Sequence, residues 1–110
     1  MRAKYTQYLF TYGTLQDEVV QLRVFGRKPK SKEAKLKGYR IAEEKVMDQY
    51  PTIEPSGNAE AFVTGLLMRV SNLELFNADV YETQAYKRIM VSVNPRTKAW
   101  VYIATFGLSE

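Results

Sequence analysis

The sequence predicts an α+β fold: a small, mixed and largely antiparallel curled β-barrel with short inserted helices. Segments with the alternation typical of strands outnumber those with helical spacing, and each helical segment is short and lies between strands. The 110 residues suit one folded unit, so we treat residues 1–110 as a single domain. Apolar residues make up 45% of the chain and charged residues 25%, a balance that permits one hydrophobic core.

The chain opens with a predicted strand, a turn and a helix. Gln7–Tyr12 alternates aromatic residues with Leu and Thr, which is typical of a strand. Gly13 then permits a backbone turn. Asp17 and Glu18 favour a helix start because acids suit the positive end of the helix dipole, and Gly26 favours its end.

The middle of the chain predicts two strands separated by loops. Arg27–Ser31 is expected to be a loop, and Ala34–Ile41 a strand with Gly38 as a bulge. Residues 51–59 contain two prolines and a glycine, which predicts an irregular loop. Ala61–Val70 carries apolar residues on both faces, so we expect a strand that is buried on both sides.

The last third predicts a short helix followed by a hairpin. Ser71 is a suitable helix cap. One face of the helix then carries three large apolar side chains, Leu73, Phe76 and Val80. Tyr86–Val93 and Ala99–Phe106 are predicted strands, joined by a five-residue turn over Asn94–Lys98.

The composition excludes several kinds of active site. The chain has no Cys and no His. Disulfides, zinc sites of the Cys/His type, thiol nucleophiles and catalytic groups based on imidazole are therefore excluded. Any proton transfer must use Glu, Asp, Lys or Tyr, and we expect neither a metal nor a cofactor.

The sequence carries no pattern typical of secretion or of a membrane span. Met1–Gln7 is polar and basic, and no apolar core of a signal peptide follows it. Ala61–Met68 is the longest run dominated by apolar residues, and it is far shorter than the ~20 residues that a membrane helix needs. We therefore expect a soluble cytoplasmic protein.

The net charge of +4 comes from one segment. Arg27–Lys37 holds six of the 16 cationic residues but only Glu33 among the 12 acids. A nucleic-acid interface is one interpretation of this run. The other, which we favour, is a solvated loop that leads into an edge strand, where lysines discourage pairing with other chains.

The first candidate site is the turn formed by Tyr12, Gly13, Thr14 and Leu15. Successive N–H groups at a strand-to-helix turn form a concavity that favours an anion such as a carboxylate. Gly13 would allow close approach of a ligand, and the Thr14 hydroxyl could add a hydrogen bond. Taken alone, the pattern also fits an ordinary structural turn.

The second candidate site is centred on Glu82, which is expected just past the end of a short helix and just before a strand. Tyr81 and Tyr86 flank it, and a carboxylate near a helix C-terminus among aromatic residues should have a raised pKa. Such a group suits a general base and acid that works near neutral pH. Arg88 would lower that pKa if it paired with Glu82, and a surface Glu at a helix end is the alternative interpretation.

Several short motifs occur in a distinctive order over about residues 7–106. They are Tyr12-Gly13-Thr14-Leu15, Leu36-Lys37-Gly38-Tyr39, Tyr50-Pro51, Gly65-Leu66-Leu67 and the stretch Asp79-x-Tyr81-Glu82-x-x-x-Tyr86-x-Arg88. In this order the chain resembles the γ-glutamylcyclotransferase-like family. That is the AIG2-like group, which includes γ-glutamylamine cyclotransferases and small bacterial YtfP-type proteins.

The resemblance implies a small mixed β-barrel and a role for each motif. The turn of Tyr12, Gly13, Thr14 and Leu15 would bind the α-carboxylate end of a γ-glutamyl group. Glu82 would transfer protons, and we expect Tyr86 to form a wall of the pocket or to donate a hydrogen bond in it. Thr14 stands where many members have Ser, and the chain is too short for the substrate-capping insertion of larger members.

We therefore expect an enzyme that cyclises a γ-glutamyl amine or γ-glutamyl amino acid to 5-oxoproline and releases the amine. Its partner would be a small γ-glutamyl molecule, with no nucleic acid and no membrane, and a monomer is favoured. A non-catalytic protein that binds small γ-glutamyl or carboxylate ligands is the main alternative. A nucleic-acid-binding module that uses Arg27–Lys37 is a third hypothesis.

Overall fold

The structure is a computed structural model that describes residues 4–47, 49–94 and 96–105. In chain order its strands and α-helices are β1 (Gln7–Thr11), α1 (Glu18–Phe25), β2 (Ser31–Lys37), β3 (Tyr39–Ile41), β4 (Ile53–Pro55), β5 (Phe62–Val70), α2 (Asn72–Glu82), β6 (Tyr86–Asn94) and β7 (Thr97–Ala104). Short 3₁₀ turns follow β1 at Thr14–Gln16 and α2 at Thr83–Ala85. The predicted α+β class is confirmed.

Five strands form one curled sheet in the order β2-β5-β1-β7-β6, and β3 pairs with β4 in a separate small sheet. Only the β1–β7 pair is parallel among the described strands, so the sheet is mixed and largely antiparallel as predicted. The curl brings Leu36 of edge strand β2 against Val91 and Val93 of the other edge strand, β6. No hydrogen-bonded ladder between these two edges is found in the described residues, so the barrel is not closed.

The sheet separates two apolar clusters because β1 and β5 present alternate residues to opposite faces. The cluster inside the curl includes Phe10 and Leu67. The cluster outside it includes Leu9 and Met68, and the two α-helices cover it. Burial on both faces of β5 is confirmed at Leu67 and Met68, but the beginning of the strand is exposed on one face because the helices do not reach it.

The start of α1 agrees with the prediction from its capping residues. The Asp17 carboxylate accepts hydrogen bonds from the backbone N–H groups of Val19 at 2.7 Å and Val20 at 3.4 Å. Gly26 ends the helix in the left-handed conformation, with φ of 76°. This helix follows the predicted turn directly, so it anchors the turn to the sheet.

The boundaries differ from the predictions in the middle of the chain. Strand β2 already begins at Ser31, where we expected a loop. The expected strand Ala34–Ile41 divides at Gly38, whose φ of 84° turns the chain from the large sheet into the small one. The predicted irregular loop over 51–59 contains β4, because Ile53–Pro55 pairs with β3.

The C-terminal hairpin is tighter than predicted. Strand β6 runs to Asn94 and β7 begins at Thr97, so the connection is shorter than five residues. Strand β7 ends at Ala104, and the predicted strand end at Phe106, like Pro95 of the turn, lies outside the described residues.

The apolar stripe of α2 shares one face, as its spacing predicts, but that face is exposed. Leu73, Phe76 and Val80 are each more than 60% exposed, whereas Leu75 and Ala78 are buried.

Of the described residues, none belongs to a helix long and apolar enough for a bilayer crossing. The lysines of β2 lie on an edge strand, which confirms the favoured interpretation of where the basic segment sits.

Candidate active site

A cavity of about 280 Å³ opens where β1, α2 and β6 meet. Tyr12, Gly13 and Thr14 line it after the end of β1, Tyr81 and Glu82 at the end of α2, and Tyr86 at the start of β6. The segment around Tyr50 and Pro51 forms the facing wall. The cavity is of the size that suits a small molecule, and it brings together the two candidate sites.

The turn after β1 presents free backbone donors. Gln16 donates its N–H to the Gly13 carbonyl at 3.1 Å, which closes the 3₁₀ turn. In residues 4–47, 49–94 and 96–105, no acceptor lies within hydrogen-bond reach of the N–H groups of Gly13, Thr14 and Leu15. The Leu15 side chain is buried in the core beneath the helices and does not line the cavity.

Gly13 leaves space in the cavity wall. Its φ of −119° is negative, so glycine is not required there for a left-handed backbone. A Cβ added at Gly13 would face Pro51 Cγ at 3.8 Å, across the lining of the cavity. A side chain at this position would therefore occupy room that is open to a ligand.

A direct contact joins the two motifs. The hydroxyl groups of Thr14 and Tyr81 share a hydrogen bond of 2.7 Å. It links the turn after β1 to the last turn of α2, although the residues are 67 positions apart in sequence. The contact holds the Thr14 hydroxyl at the cavity wall beside Tyr81, the residue that precedes Glu82.

Glu82 ends α2 and is half-buried in the cavity. Within the described part of the chain its carboxylate has neither a salt-bridge partner nor a hydrogen-bond donor. Burial raises the pKa of Glu82 to about 7, because the charged form loses hydration that nothing replaces. The carboxylate is therefore able to gain and lose a proton near neutral pH.

The sequence left open whether Arg88 pairs with Glu82. In the structure it does not, because Arg88 pairs with Asp79. Its Nε lies 2.8 Å from Asp79 Oδ1 and its Nη2 lies 2.9 Å from Asp79 Oδ2. Burial opposes the ionisation of Asp79, but hydrogen bonds from Arg88 and Tyr102 outweigh that effect and lower its pKa. The guanidinium charge is thus balanced by Asp79, one helical turn before Glu82.

Three tyrosines surround Glu82, and each directs its hydroxyl proton elsewhere. The Tyr12 hydroxyl donates to the Tyr102 carbonyl at 2.6 Å, and the Tyr86 hydroxyl to the Pro51 carbonyl at 2.8 Å. The Tyr102 hydroxyl donates to Asp79 Oδ1 at 2.5 Å. Because each acceptor is a carbonyl or an ionised carboxylate, the hydroxyl must be the donor, and Glu82 receives none of these protons.

These tyrosines are neutral at physiological pH. Burial, followed by the negative charge of Glu82, raises the pKa of Tyr86 to about 12. Burial is also the main cause of the raised pKa values of Tyr12 and Tyr102, and Glu82 adds to both. The three rings therefore form an apolar, hydroxyl-bearing wall that does not compete with Glu82 for protons.

Sequence reasoning missed two residues beside Glu82. Tyr102 lines the cavity from β7, and its position follows from the pairing of β7 with β6 rather than from any local motif. Thr83 caps the C-terminus of α2 with φ of 64°, a conformation that a β-branched residue rarely adopts. A glycine at this helix end would have indicated the left-handed conformation, but the sequence carries no such signal.

The arrangement offers two chemical functions in the lining of one cavity. Free N–H groups and a hydroxyl lie at the Gly13–Thr14 side, and an unpaired carboxylate that titrates near neutrality lies at the Glu82 side. In the described ranges no three acidic side chains come together as a metal site would need. The cavity can therefore hold a small anionic molecule and exchange protons with it.

Solved structures similar to this chain share its fold. The solution structure of At5g39720.1 from Arabidopsis thaliana superposes with a TM-score of 0.75 and 26% identity, covering 94% of this chain and 71% of that one. The solution structure of At3g28950.1 from the same plant superposes with a TM-score of 0.74 and 26% identity, and it covers 94% of this chain. The match covers 66% of that protein, so the chain spans about two thirds of its length. The crystal structure of the uncharacterized protein PH0828 from Pyrococcus horikoshii is 18% identical, with a TM-score of 0.68 and coverage of 90% and 78%, and shows the fold alone.

Sequence comparison gives the family. No curated protein matches the chain. A family described as gamma-glutamyl cyclotransferase, AIG2-like, matches residues 9–108. The match includes the Gly13–Thr14 turn, Glu82 and every strand of the curled sheet from β2 onward. The chain therefore belongs to the gamma-glutamyl cyclotransferase, AIG2-like family.

Proposed function

We propose that this chain cyclises a γ-glutamyl amine or γ-glutamyl amino acid to 5-oxoproline and releases the free amine. The observation that carries the proposal is that Glu82 and the Gly13–Thr14 turn line the same cavity. The substrate supplies its own nucleophile, the α-amine, so the protein must bind, orient and transfer protons. These are the tasks for which the cavity has suitable groups.

Binding uses the turn after β1. We place the α-carboxylate of the glutamyl group at the free N–H groups of Gly13, Thr14 and Leu15, with the Thr14 hydroxyl as a further donor. Held there, the flexible glutamyl arm curls so that its α-amine reaches its own γ-carbonyl. Such positioning contributes several kcal/mol, because an unconstrained arm rarely adopts the reactive geometry.

Proton transfer uses Glu82. The ionised carboxylate takes a proton from the α-ammonium group, and the freed amine attacks the γ-carbonyl carbon. A carbon–nitrogen bond forms to close the five-membered lactam, and the bond to the leaving nitrogen breaks. Of the three ammonium protons the lactam nitrogen keeps one, and Glu82 carries the other two in turn to the leaving nitrogen, which departs as an ammonium ion.

The environment of Glu82 supports this role. Its pKa of about 7 allows it to be a base before the attack and an acid afterwards at the same pH. No cation among the described residues is paired with it. The substrate's ammonium group would therefore be the first cationic partner that the carboxylate meets.

The test is a panel of γ-glutamyl amines and γ-glutamyl amino acids with 5-oxoproline as the measured product. The wild-type chain is expected to form 5-oxoproline from at least one compound, and Glu82→Gln to fold normally and form at least about a thousandfold less. Glu60→Gln is the matched control, because Glu60 is an exposed loop residue away from the cavity. Equal turnover by Glu82→Gln would contradict the assigned role.

The same panel distinguishes the non-catalytic alternative. If calorimetry detects binding of γ-glutamyl compounds while no 5-oxoproline forms from any of them, the chain is a small-ligand-binding protein that retains the turn. In that case Glu82→Gln would change affinity rather than turnover. A fall in affinity would still place the ligand in this cavity.

A further inference from the structure

The ion pair of Asp79 and Arg88 lies beside the cavity and takes no part in the proposed reaction. Asp79 precedes Glu82 by three residues on α2, and Arg88 follows Tyr86 by two residues on β6. Two hydrogen bonds of 2.8 and 2.9 Å join the carboxylate and guanidinium groups in parallel. This bidentate geometry is the strongest and most specific that the two groups can form.

Further contacts fix the pair on both sides. The Arg88 guanidinium lies over the Trp100 ring, 4.4 Å from its centroid. Asp79 Oδ1 also accepts the Tyr102 hydroxyl hydrogen bond described above. Arg88 is therefore held between Asp79 and an aromatic face.

Tyr102 connects this pair to Glu82. Its hydroxyl donates to Asp79, and the same residue lines the cavity that Glu82 lines. The negative charges of Asp79 and Glu82 raise the pKa of Tyr102, and the positive charge of Arg88 lowers it. The titratable side chains that line the cavity with Glu82 are Tyr12, Tyr50, Tyr81, Tyr86 and Tyr102. The charged side chains next to this set are Asp79, which contacts Tyr102, and Arg88, which pairs with Asp79. Arg88 is the cation in this described set, and Asp79 is its counter-ion.

We propose that Asp79 is a positioning residue: by holding Arg88 against Trp100 and balancing its charge, it keeps Glu82 without a cationic partner. This inference rests on the proposed function only for its consequence, which is that Glu82 stays available to the substrate's ammonium group. The alternative for the same residues is a purely structural ion pair that joins α2 to β6. The two differ in what each charge does to the titration of Glu82.

The two charges should act on Glu82 with opposite signs. Removing the charge of Asp79 leaves the Arg88 cation unbalanced, and a nearby cation favours the ionised carboxylate. Removing the charge of Arg88 leaves the Asp79 anion unbalanced, and a nearby anion disfavours it. A single unbalanced charge near a partly buried carboxylate shifts its pKa by about half a unit to one unit.

The experiment is an NMR titration of the Glu82 carboxyl carbon in the full chain labelled with ¹³C at glutamate, with the signal assigned from its absence in Glu82→Gln. Asp79→Asn is expected to lower the pKa of Glu82 by about half a unit or more, and Arg88→Gln to raise it by a similar amount. The double variant, in which both charges are gone, should return close to the wild-type value. Arg40→Gln, which breaks the exposed Arg40–Glu54 pair of the small sheet, is the control that should leave Glu82 unchanged.

Shifts of opposite sign that cancel in the double variant support the proposal. Unchanged titration in both folded single variants, or shifts of the same sign, would overturn it in favour of a structural pair. If Asp79→Asn fails to fold, Arg88→Gln decides alone, and a pKa that does not rise contradicts the inference. The titration needs no turnover, so its result stays separate from the 5-oxoproline assay.

Discussion

Gly13 leaves room in the cavity wall that a side chain would occupy. Its φ is negative, and a Cβ would meet Pro51 Cγ at 3.8 Å, an ordinary contact distance. A methyl group fits this space in the folded chain, whereas a bound ligand cannot share it. A substitution that adds a side chain to the cavity wall without disturbing the fold therefore reports where the ligand lies.

Gly13→Ala is expected to fold as the wild type does and to lose about tenfold to a hundredfold in kcat/KM, because the methyl group displaces the glutamyl arm from its reactive position. The measurement is 5-oxoproline formation under first-order conditions. If the chain binds without turnover, the Kd from calorimetry replaces it. Unchanged catalysis and binding, with an unchanged Tm, would place the ligand elsewhere.

Helix α2 carries Glu82 to the cavity, and hydrogen bonds and an ion pair hold its first turn in place. Ser71 Oγ accepts the Glu74 N–H at 3.1 Å, and Glu74 Oε1 accepts the Ser71 N–H at 2.9 Å, which forms a capping box. Arg27 donates to both Glu74 oxygens, at 2.6 and 2.8 Å. Glu74 thus lies on the inner side of the helix with Leu75 and Ala78, whereas Leu73, Phe76 and Val80 face outwards.

Glu74→Ala is expected to lower the free energy of unfolding by about 2 kcal/mol, because it removes the cap and leaves the partly buried Arg27 unpaired. Chemical denaturation monitored by circular dichroism measures this change. Glu18→Ala is the matched control, because the Glu18–Lys28 pair is exposed and its atoms lie 3.4 Å apart. Its loss should change stability by no more than about 0.5 kcal/mol, and equal effects of the two variants would contradict the argument.

For the whole molecule, an unpaired carboxylate in the cavity reduces stability at neutral pH. The pKa of Glu82 is about 7 in the folded chain and close to 4.5 when unfolded. The folded state therefore binds more protons than the unfolded state between these values, and its stability falls as the pH rises through that window. Asp79 and Glu74, whose pKa values are lowered, change stability in the opposite sense and at lower pH.

Glu82→Gln is expected to be more stable than the wild type at pH 8 by about 2 to 3 kcal/mol, and to show little difference at pH 4.5. The physical reason is that glutamine removes the cost of an ionised group that lacks hydration. Denaturation curves at the two pH values measure the difference. A constant difference between the proteins across this pH range would show that Glu82 titrates normally.

Several features were predictable because their signals are local. The Asp17 and Ser71 caps, the alternation of β1 and the glycine after Phe25 act through residues a few positions away, so the sequence contains both partners. The candidate turn and Glu82 were also identified locally, and the cavity brings both together. The division at Gly38 and strand β4 were missed, because their pairing depends on how the small sheet folds back.

By itself the sequence determined which residue types are available for proton chemistry, where the helices begin, that a glycine turn follows a strand and that Glu82 lies near the end of a helix. Only the tertiary structure decided that Arg88 belongs to Asp79, that three tyrosine hydroxyls donate away from Glu82, and that the stripe of α2 faces outwards. Local spacing controls backbone conformation and contacts within one helical turn. The choice among several charged partners depends on distance and burial, which arise when strands and helices remote in sequence pack together.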